Sequence, residues 1–290
     1  MATPALAVTG STGRLGGRVA RRLAATGVPQ QLVVRDRTRA PRLAGTAVAA
    51  AEYGDLDAGR RALAGTQTLF MVSGSETPDR VDQHRTFVDA AVAAGVEHVV
   101  YLSFYGAAHD ATFTLARDHR ATEDHIRASG LQWTFLRDNL YLDFFPAMVG
   151  ADGMIRGPAG DGRVAAVAQD DIADVAAAVL REPISHASQT YDLTGPEAMT
   201  LAAVADQLSA ATGRVVGYVP ETLDEAYRSR AHYGAPDWQV DAWVSTYTAI
   251  AAGELAGATD AVERVTGHAP MSLTDLLLAR AGDVRLGSPL

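Results

Sequence analysis

From residue 5 onward, short apolar runs alternate with amphipathic stretches. "ALAVTG" has the length and closure of a buried strand, and residues 15–26 place Val19 and Leu23 one turn apart before Gly27, the pattern of a helix ended by a glycine. "QQLVVRD", "TAVAAAEYGD", "TQTLFMVSG" and "VEHVVYLS" predict four further strands, with a helix over 80–94 between the last two. A helix from about 116 to 129, terminated by Gly130, leads to a sixth strand in "LQWTFLRDN". Strands alternating with helices predict a parallel, doubly wound α/β sheet.

The rhythm changes after about residue 141. "ADGMIRGPAGDG" is rich in turn formers, "RVAAVA" reads as a strand, and "QDDIADVAAAVLR" as a helix with Asp171 as N-cap and Asp174 as its third-position acid. A helix beginning after Thr200 carries Leu201, Val204 and Leu208 on one face and closes at Gly213. From "RVVGYVPET" to the C-terminus the pattern is mostly helical and is expected to form a smaller domain capping the C-terminal edge of the sheet. With 290 residues, two unequal parts are expected: 1–145, joined again by a segment of about 164–195, and 146–290.

A chain 48% apolar and 20% charged can bury a sizeable core. A net charge of −9 argues against broad binding to nucleic acid or an acidic membrane, whose affinity comes from positive charge. No basic, apolar and small-residue succession marks a secretory signal and no run of eighteen apolar residues occurs, so a soluble cytoplasmic protein is expected. Zero cysteines exclude disulfides, thiolate metal sites and cysteine nucleophiles. The eight histidines form no metal-like motif, and no metal is expected. All 25 basic residues are arginine, so no lysine can act as base, Schiff-base amine or cofactor-positioning cation.

Between the first strand and first helix lies "GSTGRLGG", in which Gly10, Gly13 and Gly16 have the spacing G-x-x-G-x-x-G. Such a turn lets backbone N–H groups approach a pyrophosphate at the positive end of a helix, so Gly10, Ser11, Thr12, Gly13, Arg14, Leu15 and Gly16 are expected to cradle a dinucleotide. Arg35 stands nineteen positions after Gly16, at the end of the second strand. An acid there accepts from a free ribose 2′-hydroxyl, whereas an arginine pairs with a 2′-phosphate; NADP(H) is therefore preferred, with Arg14 in support, and the adjoining Asp36 keeps NAD(H) open.

"TGSTGRLGGRVARRL", "VRD", "GDLD", "VVYLSFYGA" and "FLRDNLYLD" together resemble the atypical short-chain dehydrogenase/reductase group that includes NmrA-like proteins, NADPH:quinone oxidoreductases and triphenylmethane reductase. The resemblance implies an NADP-binding Rossmann domain followed by a small, mostly helical C-terminal substrate domain. It further implies that Asp55 and Leu56 lie near the adenine, Ser73 and Gly74 along the cofactor, and Ser103, Phe104, Arg137 and Asn139 beside the nicotinamide.

Most short-chain reductases protonate the reduced carbonyl with a tyrosine four residues ahead of a lysine. Here "LARDHRATEDHI" puts Leu115 and His119 at those places. A simple ketone needs such an acid because hydride attack builds a basic alkoxide, but a quinone or cationic dye yields a delocalised or neutral product. His119 is the candidate to hold the nicotinamide ribose or donate a proton, with pairing to Glu123 as the structural alternative; Tyr105 and Ser103 complete the catalytic candidates. Phe104, Tyr105, Tyr141, Phe144, Phe145 and Trp238 are expected to line a pocket for a flat acceptor, or else to be core. Trp243 and Tyr247, at i, i+4, read as packing. The expected function is NADPH-dependent hydride transfer directly to a quinone-like small molecule, without flavin; the alternative is a non-catalytic dinucleotide sensor acting through a protein partner. The oligomeric state stays open.

Overall fold

In a computed structural model, which describes residues 4–288, the early apolar runs form strands separated by helices. The order is β1 (Leu6–Thr9), α1 (Arg14–Ala25), β2 (Gln30–Val34), β3 (Thr46–Ala50), α2 (Leu56–Ala62), β4 (Thr68–Val72), α3 (Arg80–Ala94), β5 (His98–Phe104), α4 (Thr114–Ala128) and β6 (Gln132–Asp138). Then come β7 (Met154–Gly157), β8 (Arg163–Val164), α5 (Gln169–Arg181), β9 (Gln189–Leu193), β10 (Met199–Thr200) and α6 (Leu201–Thr212). The last elements are β11 (Gly217–Pro220), α7 (Leu223–Arg230), α8 (Asp237–Ala251), α9 (Ala261–Thr266) and α10 (Leu273–Ala279). The chain divides into two compact units.

The first unit runs through Ala107 and includes Asp118–Arg137 and Ile172–Asp192. Its seven-stranded sheet has the order β3-β2-β1-β4-β5-β6-β9. Parallel registers such as Ala7↔Gln31, Val8↔Phe70, Val33↔Ala49 and Met71↔Tyr101 tie its centre together. β1 and β5 are buried along their whole length, as expected where helices cover both faces of a parallel sheet. One core cluster packs Leu63, Leu69, Met71, Phe87, Tyr101 and Phe135, with Tyr53 stacked on Phe87 at 4.3 Å. The chain leaves β1 for β2 on one side and reaches β4 on the other. Strand order therefore reverses between β1 and β4, and their C-terminal ends flank the crevice where doubly wound sheets bind ligands.

α2 has no counterpart in the hydrophobic pattern: its seven residues begin at a local cap, where Asp55 Oδ1 accepts the Ala58 N–H at 2.9 Å. α5 starts at Gln169, ahead of the expected cap, because Asp143 accepts the Gln169 N–H at 2.8 Å. Asp171 and Asp174 are thereby released from capping. Asp171 accepts the Met271 N–H, and Asp174 pairs with Arg22 at 2.6 Å.

The second unit comprises residues 108–117, 138–171 and the chain from 193 onward. The expected strand "RVAAVA" is regular only at β8, which pairs antiparallel with β10. Two further strands pair in parallel, Ile155 opposite Tyr218: β7 lies in the turn-rich stretch and β11 in the segment expected to be mostly helical. Gly157 in β7 is required by packing, since a Cβ there would lie 2.2 Å from the Tyr247 ring. Arg230 covers the same ring at 5.1 Å, and Trp243 packs with Ala226, Val240 and Val244, so the i, i+4 aromatic pair is structural. Among the described residues, no helix is long and apolar enough to cross a membrane.

Candidate cofactor and active site

The glycine turn joins β1 to α1 at the strand-order reversal. Gly10 has φ +65°, and a Cβ there would approach Val72 Cβ to 2.9 Å, so both conformation and the neighbouring β4 require glycine. At Gly16 a Cβ would lie 2.4 Å from the Gly10 carbonyl oxygen; the missing side chain lets α1 pack onto the turn. Gly13 is exposed and stands as N-cap of α1 with no side-chain cap and no acid in the first turn. The positive end of α1 is thus left for an external anion. Ser11 adds a buried hydroxyl that has no hydrogen-bond partner. A glycine-walled cradle, an uncapped helix end and an orphaned hydroxyl fit a dinucleotide pyrophosphate. Thr12 and Arg14 are exposed on the turn and Leu15 is buried behind it.

At the end of β2 the two charges separate in role. Arg35 is exposed and forms no hydrogen bond or ion pair with other described residues. Asp36 turns onto its own loop: Oδ1 accepts the Thr38 N–H at 2.9 Å and the Thr38 hydroxyl at 2.7 Å, which together hold its carboxyl below the usual range. Its Oδ1 is thereby committed to the loop that follows β2. Arg37 is also committed, donating to the Val48 carbonyl at 2.6 Å. Asp55 caps α2, while Leu56 beside it is 43% exposed and offers an apolar surface.

Ser73 and Gly74 follow β4, and Gly74 is held at both of its polar backbone atoms. Its N–H donates to His84 Nε2 at 2.8 Å, and its carbonyl accepts from Arg80 Nε at 3.2 Å. Because Nε2 is an acceptor, His84 carries its proton on Nδ1 and donates it to Thr122 Oγ1 at 2.9 Å, while Thr122 donates to the Asp118 carbonyl. Arg80, 5% exposed, also donates from Nη2 to His119 Nε2 at 3.2 Å. His119 must then donate from Nδ1 to Tyr101 Oη at 3.0 Å, and the Tyr101 ring packs edge-on against the His84 ring at 6.0 Å. The contacts close a ring from Gly74 through His84, Tyr101, His119 and Arg80 back to Gly74, with Thr122 bonded to His84. Arg80 Nη1 completes no hydrogen bond and lies 3.6 Å from Asp118 Oδ2.

This ring changes the expected role of His119. Its two nitrogens are occupied inside the protein and only 7% of its surface is exposed. Burial first, and then the Arg80 charge, push its pKa well below the ordinary histidine value, so it is neutral. In this arrangement it has neither a proton to donate nor a free nitrogen for a ribose. It is not paired with Glu123 either. Glu123 is fully buried and accepts the Ser103 hydroxyl at 2.6 Å, two donors of Arg137 at 2.8 and 2.6 Å, and Arg127 at 3.1 Å. Ser103 is consequently unsuited as an acid, and the Arg137 guanidinium is directed at a carboxylate of its own unit.

Asn139 is likewise committed: its side chain donates to the Leu255 carbonyl and accepts from the Leu140 N–H, while its backbone N–H meets the Leu193 carbonyl. It is fully buried, and these three hydrogen bonds tie it to other parts of the second unit. Of the catalytic candidates, Tyr105 is half-buried, and its hydroxyl pKa is raised by burial and secondarily by Asp192, so it stays protonated at neutral pH.

The residues expected to line an acceptor pocket divide between the units: Phe104 and Tyr105 belong to the first and Tyr141, Phe144, Phe145 and Trp238 to the second. Phe145 is core and lines no open surface; Tyr141 is half-buried and donates to Asp138; Phe144 is 54% exposed; Trp238 is half-buried in the first turn of α8. Two clefts of the second unit, about 330 and 530 Å³, are bordered by Thr212 and Arg285 and by Glu221 and Arg228, and contain none of these aromatic residues.

Sequence reasoning did not find Arg80, His84, Tyr101 or Thr122. The available signal was the spacing on α3: Arg80, His84, Phe87 and Ala91 recur at i, i+4, i+7 and i+11, which places two polar groups on the core face.

The chain matches the NAD(P)H-binding family over residues 10–183. It is 34% identical over 280 residues to NAD(P)H azoreductase of Xenophilus azovorans, covering 94% of this chain and 97% of that protein. Its fold is similar to NADPH-dependent quinone oxidoreductase QOR2 of Escherichia coli, solved with NADPH, at TM-score 0.86 and 31% identity, covering 94% and 99% of the two chains. Citrobacter triphenylmethane reductase in complex with NADP(H) gives TM-score 0.85 and 31% identity with the same coverage. With the uncapped glycine turn placed at the sheet's reversal point, these likenesses show that the chain belongs to the NAD(P)H-binding family, within the quinone-reductase-like group of atypical short-chain dehydrogenases/reductases.

Proposed function

We propose that the protein is an NADPH-dependent reductase that delivers hydride directly to a flat, conjugated acceptor of the quinone or azo class. The observation that carries the acceptor class is the internal commitment of both Ser103 and His119, in a chain without lysine. An acceptor that spreads the incoming electron pair over a conjugated system needs no strong acid beside it, whereas a simple ketone does. The names of the similar azoreductase, quinone oxidoreductase and triphenylmethane reductase support the same class.

The dinucleotide supplies hydride at its nicotinamide ring. The N–H groups at the start of α1 and the Ser11 hydroxyl bind the pyrophosphate, and Arg35 pairs with the 2′-phosphate. Leu56 packs against the adenine. Gly74 and Phe104 direct the nicotinamide end, and the protonated Tyr105 hydroxyl donates a hydrogen bond to the acceptor oxygen as charge develops there. Water supplies the final proton.

Steady-state oxidation of NADPH with soluble benzoquinones and azo dyes, set against aliphatic ketones, tests the reading. Turnover is expected with the conjugated acceptors and none with the ketones. Tight NADPH binding without turnover on any acceptor would favour a dinucleotide sensor instead.

A further inference from the structure

We propose that His84 and Arg80 are positioning residues for the dinucleotide: by gripping the N–H and the carbonyl of Gly74, they fix the β4 loop against the glycine turn. The inference rests on the dinucleotide reading given above and identifies the part of the protein that orients the loop.

Three observations carry it. Gly74 leaves β4 at the reversal point, where β4 runs so close to the glycine turn that a Cβ added at Gly10 would lie 2.9 Å from Val72 Cβ. The two peptides that flank Gly74 are each held at one polar atom by side chains of one helix, the first at its N–H and the second at its carbonyl, so α3 sets which way the loop's backbone groups face. The grip is itself fixed, because every proton in the ring has one assignment: the guanidinium can only donate, which forces the tautomer of His119, and the Gly74 N–H forces that of His84. A buried ring of this kind, in which each donor–acceptor pair has one assignment, favours one geometry over its neighbours. Gly74 also needs to be small, since a Cβ there would come within 3.3 Å of His84 Nε2. The ring explains a buried arginine and two buried histidines that the hydride transfer does not otherwise use.

The test separates the two hydrogen bonds of His84. In His84→Asn the shorter amide reaches the Nδ1 position and can still donate to Thr122, but the Gly74 N–H loses its acceptor. In His84→Gln the longer amide places its carbonyl at the Nε2 position and restores that acceptor while giving up Thr122. Calorimetric titration of NADPH and of NADH into wild type and both variants, with melting temperatures measured alongside, reads the outcome. The Asn variant is expected to bind both dinucleotides about tenfold more weakly, equally for the two because the grip lies away from the 2′-phosphate, and the Gln variant to stay within about twofold of wild type. Arg80→Lys, which keeps the charge but cannot donate to both Gly74 and His119, is expected to follow the Asn variant. Equal affinities in the Asn and Gln variants, whatever their melting temperatures, would overturn the proposal while leaving the dinucleotide reading intact. Failure of the wild type to bind either dinucleotide would overturn both.

Discussion

Arg137 meets Glu123 through two parallel hydrogen bonds, 2.8 Å from Nε and 2.6 Å from Nη2, and the carboxylate is wholly buried. β6 and α4 are therefore joined by a charge pair that cannot lose one member cheaply. Arg137→Ala is expected to lower the unfolding free energy by about 3 kcal/mol, with Arg127 limiting the loss, and Arg137→Met combined with Glu123→Leu to recover most of it. Urea denaturation of the three proteins checks this.

The glycines of the turn are expected to fail in different ways. Gly16→Ala drives a Cβ to 2.4 Å from a backbone carbonyl, so α1 must move; a loss of about 1–3 kcal/mol in stability and loss of dinucleotide binding follow together. Gly13→Ala meets its nearest atom at 3.3 Å and stands exposed, so the fold changes by less than about 1 kcal/mol while affinity falls. Thermal unfolding and calorimetry on the same samples distinguish the two.

Arg35→Ala is expected to weaken NADPH by roughly 1.5–3 kcal/mol and leave NADH unchanged, the worth of a charge-assisted contact to the phosphate. Asp36→Ala should not shift that preference, because the carboxylate serves Thr38. A gain in NADPH selectivity in Asp36→Ala would show that the acid reads the ribose after all.

Stability should fall on mild acidification. Burial, with the Arg80 charge second, lowers the His84 pKa to about 3, and His119 is lowered in the same direction. Below the unfolded-state value of about 6.5 the unfolded chain takes up protons that the native histidines refuse, so unfolding free energy decreases as pH drops from 6.5 toward 3. Each such histidine contributes a slope of up to about 1.4 kcal/mol per pH unit. Urea unfolding between pH 7 and 5 should give a steeper slope for wild type than for His84→Gln.

The apolar runs made β1 to β6 and the glycine turn readable, because a parallel sheet buries whole strands and the turn's spacing is local. α2 was not readable: it is short and begins at Asp55, a cap that resembles any acid in a loop. β7 and β11 were missed for another reason. "MIRG" and "GYVP" become strands only by pairing with each other across some sixty residues, as Ile155 does with Tyr218. Of the residues proposed to hold the dinucleotide, Arg35 and the glycines could be named from their position in the sequence. His119 and Ser103 did not reveal that their partners would be internal, since Arg80, Tyr101 and Glu123 converge on them from different elements.

Direct hydride transfer is tested most closely by isotope effects on NADPH oxidation in the presence of a benzoquinone, with deuterium placed in turn on each face of the nicotinamide C4 and with D₂O as solvent. Slower turnover is expected for one label, none of that slowing for the other, and little solvent effect, because no side-chain acid shares the slow step. Equal rates for both labels together with a large solvent effect would contradict direct transfer.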